Sequence, residues 1–257
     1  MAVFCDFENV ALGVREAKYD RFDISKVLER LLLKGSIVVK KAYCDWDRYK
    51  EFKAPMHQAS FELIEIPHVR QSGKNSADIR MVVDALDLCY TKSHVDTFVI
   101  VSGDSDFSPL VSKLRENDKT VIGVGVKKST SDLLVAACDE FIYYDDLVRE
   151  QKRRQEPSRK KAEARAAPSP SADKRQEALD LVMETVEALS DERGDTETIW
   201  GSMVKQALKR RKPGFNERYY GFGSFNEVLE EARERGLLQL ERDEKSGGYA
   251  VRAMGVQ

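Results

Sequence analysis

The run Thr97–Val101 constrains the fold more than any other part of the sequence, because almost every position in it is apolar. A strand of this kind is buried on both faces, as in a parallel sheet with helices on each side. Short apolar runs of similar character alternate with amphipathic segments over the first 148 residues. This alternation predicts an α/β domain in which a parallel sheet forms the middle of three layers.

The individual elements of this domain are predicted from the same periodicity. Strands are predicted at Val3–Cys5, Ile37–Tyr43, Phe61–Ile66, Phe98–Val101, Thr120–Val124 and Glu140–Tyr143. Helices are predicted between them, at about 23–34, 48–59, 76–91, 107–116, 130–137 and 144–152.

The sequence changes character between residues 149 and 174, which predicts a linker. This segment is polar and basic and contains Pro168-Ser169-Pro170-Ser171. Three helices are then predicted within residues 175–257, at Gln176–Leu189, Thr196–Arg210 and Ser224–Arg235. Two short apolar runs come next, on either side of a turn at Ser246-Gly247-Gly248. Three helices closed by a β-hairpin predict a small winged-helix domain.

Composition narrows the class of protein. With 42% hydrophobic and 33% charged residues the chain is typical of a soluble globular protein, and no apolar stretch approaches the roughly 20 residues of a membrane span. The chain begins directly on a predicted strand, so we expect no signal peptide and no membrane association. The cysteines are far apart and form no CxxC, which predicts reduced thiols in a cytoplasmic protein. A net charge of −2 restricts any nucleic-acid contact to local basic patches.

Acidic side chains come after two of the predicted strands. Asp104 and Asp106 come after Thr97–Val101, and Asp6 comes directly after Val3–Cys5. In an open doubly wound sheet the first strand commonly neighbours the strand that follows the crossover, and neighbouring strands lie about 4.8 Å apart. We therefore expect Asp6 and Asp104 at the carboxyl edge of the sheet, within reach of one ion.

A third acid comes from the predicted helix at 76–91. At about 100° per residue, an apolar arc is predicted to be buried, formed by Ile79, Val82, Val83, Leu86 and Cys89. Asp78 lies at the edge of this arc, whereas Asp84 lies well over 100° from its centre. Asp78 is therefore the predicted third ligand, and Asp84 is a weaker candidate.

A simpler role is open to each of these acids. A carboxylate just after a strand is often the N-cap of the next helix, and Asp106 could be only that. Convergence of three separate chain segments on one edge makes a shared site the better interpretation.

The chemistry of such a site depends on its ligands. Several aspartates with no nearby Cys or His favour Mg²⁺ or Mn²⁺ over zinc, and such an ion can activate water for displacement at a phosphodiester. Asn9 and Ser102 could orient water or a phosphate oxygen, and Lys74 and Arg80 could meet the phosphate charge. For Lys74 and Arg80, solvated residues at a helix start are an equally good interpretation.

An ordered set of motifs resembles the NYN domain over residues 1–148. These motifs are Val3-Phe4-Cys5-Asp6-Phe7-Glu8-Asn9, Lys74-x3-Asp78 with Val83-Asp84-Ala85, and Ser102-Gly103-Asp104-Ser105-Asp106-Phe107. NYN domains belong to the PIN-like, FLAP-nuclease-related ribonucleases. The resemblance implies a PIN-like fold and metal-dependent hydrolysis of RNA.

The same resemblance implies roles for particular residues. The acidic cluster would bind the metal and carry catalysis through Asp6, Asp78, Asp104 and Asp106, with Asn9 beside it. Asp84 also matches a family position, against the helical-wheel preference, so its role stays open.

Residues 175–253 are similar to the LOTUS (OST-HTH) winged-helix domain, a family implicated in binding RNA or protein partners. The similarity is carried by Gln176–Leu189, Trp200–Arg211, Tyr220–Phe225 and Gly247-Gly248-Tyr249. A basic patch on the second helix could meet RNA phosphates through Lys205, Lys209, Arg210 and Arg211. A basic helix end that stabilises its own dipole is the alternative.

Two functions remain in competition. The first is a two-domain ribonuclease that acts on single-stranded or structured RNA and carries a C-terminal module for RNA or protein partners, with a homodimer as a further option. The second is a non-catalytic adaptor on the same fold. A phosphatase of the aspartyl type is disfavoured because Asp6-Phe7-Glu8-Asn9 lacks the DxDx[TV] pattern, and a dehydrogenase is disfavoured because no GxGxxG follows the first strand.

Overall fold

The computed structural model describes residues 1–66, 76–151, 170–194, 197–243 and 248–253. The chain divides into two units. The first comprises residues 1–30 and 36–159, and the second comprises residues 31–35 and 160–257.

A six-stranded parallel sheet is the centre of the first unit. Its strands are β1 (Ala2–Asp6), β2 (Val39–Cys44), β3 (Glu62–Glu65), β4 (Thr97–Val101), β5 (Thr120–Gly125) and β6 (Glu140–Tyr143). They lie in the order β3-β2-β1-β4-β5-β6, and every neighbouring pair is parallel. The predicted α/β architecture with a parallel sheet is confirmed. So is the predicted pairing of β1 with β4, in which Cys5 lies opposite Val101.

Seven helices connect the described strands or come after them. They are α1 (Phe7–Glu16), α2 (Ile24–Lys34), α3 (Lys50–Gln58), α4 (Ser76–Thr91), α5 (Ser108–Glu116), α6 (Asp132–Ala137) and α7 (144–151). Helix α1 was not predicted, because it starts at the residue after β1 with no loop between them. Its apolar spacing is nevertheless visible in the sequence, since Phe7, Val10 and Val14 are among its buried side chains.

The two central strands of the sheet, β1 and β4, are apolar and are buried on both faces. Every residue of β1 and nearly all of β4 is buried. On one face, Phe4, Phe98 and Ile100 pack in one core cluster with side chains of α4 and α5. Side chains of a strand alternate between faces, so Val3 and Cys5 are covered from the opposite side. The middle layer predicted from Thr97–Val101 is therefore present.

Helix α4 is rotated relative to the prediction. Its buried residues are Met81, Ala85 and Cys89, whereas Ile79 and Val83 are exposed, so the predicted buried arc was wrong by about a quarter of a turn. The error arises because apolar residues occur around most of this helix, and periodicity alone cannot fix which side faces the sheet. Asp78 shares the buried line with Met81 and Ala85, at i, i+3 and i+7.

The second unit contains three helices and a small antiparallel sheet among its described residues. Its elements are α8 (Pro170–Arg193), β7 (Ile199–Trp200), α9 (Gly201–Arg211), α10 (Phe225–Glu234), β8 (Leu238–Arg242) and β9 (Tyr249–Ala253). The strands lie in the order β7-β9-β8. One apolar core joins them and includes Leu179, Val182, Val204, Val228, Leu229 and Val251.

Two boundaries of this unit differ from the prediction. Helix α8 begins at Pro170, six residues before the predicted start, since proline fits the first turn of a helix. The predicted helix from Thr196 is replaced at its start by strand β7, and α9 begins only at Gly201. The predicted turn at Ser246-Gly247 lies outside the described residues. None of the helices that the structure describes is long and apolar enough to cross a lipid bilayer.

Candidate active site

The strand order reverses between β1 and β4, and the predicted acids lie at the carboxyl ends of these two strands. Asp6 is the last residue of β1 and the N-cap of α1. Asp104 comes after β4 and caps the short 3₁₀ turn Ser105–Phe107. Ligands of open α/β sheets bind at this type of crevice. The fold therefore brings Asp6 and Asp104 to the most favourable position for a ligand.

A buried serine joins the two aspartates. The Ser102 hydroxyl donates to Asp6 Oδ2 at 3.0 Å and accepts the backbone N–H of Asp104 at 3.2 Å. Ser102 has 0% of its surface exposed. The prediction that Ser102 contacts substrate is therefore wrong, because no part of it is accessible. Its role is to hold the Asp6 carboxylate in one orientation relative to Asp104.

Asn9 fixes the loop that carries Asp104. Its Oδ1 accepts the backbone N–H of Gly103 at 2.9 Å, and the Gly103 carbonyl accepts the N–H of Ser131 at 2.9 Å. A Cβ on Gly103 would lie 2.4 Å from the backbone oxygen of Ser129, so only glycine fits there. Residues 102–104 are thus clamped between α1 and the loop after β5.

Mutual repulsion links Asp78 to the other acids. The pKa of Asp6 is raised to about 7, first by burial and then by the charge of Asp78. The pKa of Asp78 is raised to about 6 by burial, by Asp104 and Asp106, and by Glu8. Such effects require the charges to be close together. The charges of Asp78 and Asp104 act on Asp6, and those of Asp104 and Asp106 act on Asp78, so the four aspartates lie within electrostatic range of one another, with Asp106 exposed.

Helix capping does not account for the position of Asp6. Its Oδ1 accepts the N–H of Asn9 at 3.4 Å, a long cap bond, and a cap is worth about 1 kcal/mol. A pKa raised from 3.8 to about 7 means that the ionised side chain costs about 4 kcal/mol at pH values above 7. The cost exceeds the benefit of the cap, so the ionised carboxylate needs another source of stabilisation. A bound cation is the natural one.

Asp84 and Arg80 lie outside this cluster. Asp84 accepts a hydrogen bond from the Tyr43 hydroxyl at 2.9 Å and forms ion pairs with Lys41 at 3.4 Å and Arg80 at 3.1 Å. Because two cations neutralise it, Asp84 is a structural residue here. Arg80 is about 200° around the helix from Asp78 and is bound to Asp84, so its predicted contact with substrate is not supported. Lys74 lies outside the described residues.

Two features of the site were not assigned from the sequence. Glu8 pairs with Arg48 at 3.1 Å and adds to the repulsion on Asp78, which places it beside the acids. Lys127 and Lys128 are exposed in the loop after β5, the strand next to β4. Both could have been found from the rule that located the acids, because they also lie just beyond the carboxyl ends of strands β1 and β5.

The donor set suits a hydrated ion better than a fully enclosed one. Among the residues described, no group of three or more His, Cys, Asp or Glu side chains is arranged to hold a metal ion directly. Mg²⁺ commonly keeps several water ligands and is held by only one or two carboxylates. Asp6 and Asp104, joined through Ser102, meet that smaller requirement. Oxygen donors alone favour Mg²⁺ or Mn²⁺.

The basic residues of α9 are largely occupied within the second unit. Lys205 forms an ion pair with Glu217 at 3.0 Å. Arg211 binds Glu184 at 2.5 Å, and its side chain is only 6% exposed. Arg211 is therefore too buried to meet a phosphate, whereas Lys205 keeps 41% of its side chain exposed and its contact with RNA stays a prediction.

Arg210 has hydrogen-bond partners within the second unit, whereas the side chain of Lys209 is exposed. The Arg210 guanidinium donates to the backbone carbonyls of Leu32 and Leu33 at 2.7 and 2.9 Å, within the same unit. Of the four predicted cations, Lys209 is the one that is exposed.

Known proteins resemble the first unit. Residues 1–145 match the family model of the NYN domain. An uncharacterized protein of Methanocaldococcus jannaschii is 31% identical over 121 residues, which is 47% of this chain and 47% of that protein, so the chain spans about half the length of the curated relative it matches. The crystal structure of a protein of unknown function from Vibrio parahaemolyticus superposes with a TM-score of 0.50 and 29% identity, over 57% of this chain and 93% of that one.

NYN domains are generally a ribonuclease fold and are typically metal-dependent. The match over more than half of its length, together with the acidic site, shows that this chain belongs to the NYN domain family.

Proposed function

We propose that this protein is a Mg²⁺- or Mn²⁺-dependent ribonuclease that hydrolyses RNA phosphodiester bonds at the carboxyl ends of β1 and β4. The observation that carries the proposal is the buried Asp6 carboxylate, which is joined through Ser102 to Asp104 and has a pKa raised to about 7. Such a group is stabilised by a cation and is costly without one. The typical activity of NYN domains supports the same conclusion.

Each acid has a proposed part in holding the ion. Asp6 and Asp104 would bind it, with Asp78 and Asp106 acting directly or through its water ligands. When bound, a divalent ion supplies an activated water and stabilises the charge that develops at phosphorus. Ser102 keeps Asp6 oriented without touching the substrate.

Neighbouring polar groups are proposed to position the RNA. Asn9 uses its carbonyl oxygen on Gly103, so we assign any contact with water or phosphate to its NH₂ group. Lys127 and Lys128 lie in the loop bound to Gly103 through Ser131 and would meet phosphates next to the cleaved bond.

The second unit is proposed to be a winged-helix module of the LOTUS type. The order helix, strand, helix, helix, strand, strand supports this, with β8 and β9 as the wing. We propose the NYN domain at residues 1–148, a linker at 149–174, into which the ends of helices α7 and α8 extend, and the module at 175–257. Lys209 and the exposed Tyr219 are its proposed RNA contacts, and tethering would raise the concentration of RNA near the nuclease.

The proposal is tested by measuring cleavage of labelled RNA with Mg²⁺, with Mn²⁺ and with excess EDTA. We expect cleavage only with a metal, and we expect Asp104→Asn to lower the rate at least 100-fold because it removes a charged ligand. Asp118→Asn is the matched control. It makes the same chemical change on an exposed residue after α5, at the opposite edge of the sheet, where a positive φ of 56° tolerates asparagine.

Cleavage that persists in EDTA or in Asp104→Asn would refute the mechanism. RNA binding without turnover under every metal condition would instead favour the non-catalytic adaptor.

A further inference from the structure

We propose that two copies of this chain associate through an antiparallel pairing of helix α4, independently of the nuclease site. Beside its sheet-facing side, this helix carries an apolar stripe formed by Ile79, Val83, Leu86 and Tyr90, of which Leu86 also packs partly against the core. Three of these side chains are strongly exposed, with Ile79 at 63%, Val83 at 56% and Tyr90 at 64%, and Leu86 is partly buried. Single exposed apolar residues are ordinary, but three on one stripe of a helix, with the half-buried Leu86 at its edge, mark an interaction surface.

The spacing of the stripe specifies another helix as its partner. The four residues are separated by four, three and four positions, which is the seam of a two-helix coiled coil over about 16 Å of helix axis. In heptad terms Ile79 and Leu86 are at position d, and Val83 and Tyr90 are at position a. This face points away from the acids, because Asp78 lies on the sheet-facing line with Met81 and Ala85.

The charges beside the seam identify a second copy as that helix. Arg80 and Asp87 both occupy heptad position e, so they border the seam on the same side. In an antiparallel pair related by a twofold axis, e positions face e positions, and Arg80 of each copy meets Asp87 of the other. When the seam residues pair as Ile79 with the partner's Tyr90 and Val83 with the partner's Leu86, these two charges are offset by about 3 Å along the axis, within side-chain reach.

A parallel pairing lacks this complementarity. It would set the e positions against the g positions, which are Val82 and Cys89, and would leave both charges against apolar side chains. Arg80 already contacts Asp84 and retains 58% side-chain exposure, so it can reach a second carboxylate. Asp87 is exposed and takes part in no ion pair among the described residues.

The test is sedimentation equilibrium of the full chain between about 1 and 100 μM. We expect a mass that rises from 29.2 kDa toward twice that value. Val83→Glu should weaken the dimer about a hundredfold or more, because it places two like charges in the seam. Leu133→Glu is the matched control, since Leu133 is an equally exposed apolar residue, at 63%, on α6 and should leave the dimer unchanged.

Charge exchange tests the antiparallel arrangement itself. Arg80→Glu alone and Asp87→Arg alone should each weaken the dimer about tenfold, because the twofold axis makes every substitution count twice. The double variant Arg80→Glu/Asp87→Arg should restore the affinity, since the exchanged charges are again complementary.

Three outcomes would overturn the proposal. They are a monomeric chain at 100 μM, a dimer that is unaffected by Val83→Glu, and failure of the double charge exchange to restore association. Circular dichroism on each variant separates loss of the dimer from loss of the fold. RNA cleavage plays no part in these measurements, so the ribonuclease proposal can fail while this one holds.

Discussion

Two clusters of like charge, one in each unit, have opposite surroundings. At the edge of β1 and β4, aspartates repel one another, and the pKa of Asp6 and that of Asp78 are raised. On α9, by contrast, Lys205 and Arg211 each have a carboxylate partner. A cluster of like charges in a sequence therefore indicates a functional site only when the fold provides no oppositely charged partners. Charges that have such partners stabilise the fold instead.

Neutralising Asp6 should have the largest effect of the changes at these two charge clusters. Asp6→Asn keeps a good N-cap and an acceptor for Ser102 but removes the buried charge. Because the pKa of Asp6 is raised on folding, its contribution to stability is fully present below about pH 4 and is lost as pH rises through about 7. In EDTA, the variant should therefore equal the wild type near pH 4 and exceed it by about 4 kcal/mol at pH 8, measured by urea unfolding.

Added Mg²⁺ provides the control for that experiment. It should raise the free energy of unfolding of the wild type at pH 8 and have a much smaller effect on Asp6→Asn, because only the wild type carries the charge that the ion relieves. A variant less stable than the wild type at pH 8 would show that Asp6 serves the fold alone.

A second test addresses the compensated cluster. Arg211→Gln should destabilise the chain by about 2 kcal/mol, because it removes a guanidinium that is only 6% exposed together with its charged hydrogen bond to Glu184. Lys209→Gln, two residues earlier and exposed, should change stability by less than about 0.5 kcal/mol. Thermal unfolding of the two variants side by side measures the difference. Equal stabilities would mean that the α9 cations are not structural.

The smallest expected effect concerns the lysines beside the acidic site. Lys127→Gln/Lys128→Gln should raise the KM for RNA about fivefold at low salt, with little change in kcat and a weaker effect at high salt, as expected for phosphate contacts. Lys92→Gln, an exposed lysine between α4 and β4, is the control. An unchanged KM and salt dependence would remove these lysines from the site.

The sequence predicted those features that depend on strand order and on the residues just beyond each strand. Pairing of β1 with β4, and with it the meeting of Asp6 and Asp104, was predicted from buried apolar runs and the rule for doubly wound sheets. Helix α1 escaped prediction because no loop residues separate it from β1. The sequence did not predict which side of α4 faces the sheet, because apolar residues such as Ile79 and Met81 lie on both sides of this helix.

Tertiary partners account for the features that could not be predicted. Nothing local reveals that Ser102 is fully buried, since this depends on the β5 segment, whose Val124 carbonyl accepts the Ser102 N–H. Likewise, Glu217 and Glu184 are distant in sequence from the cations they bind. Such pairings are visible only when the chain is folded.

The missing side chain at Gly103 has a consequence for how this protein tolerates change. Even a methyl group there would press on the Ser129 backbone and displace the segment that presents Asp104. A saturation mutagenesis screen for activity would therefore rank position 103 among the most intolerant in the chain. That position would look catalytic in such a screen, although the residue there offers no functional group at all.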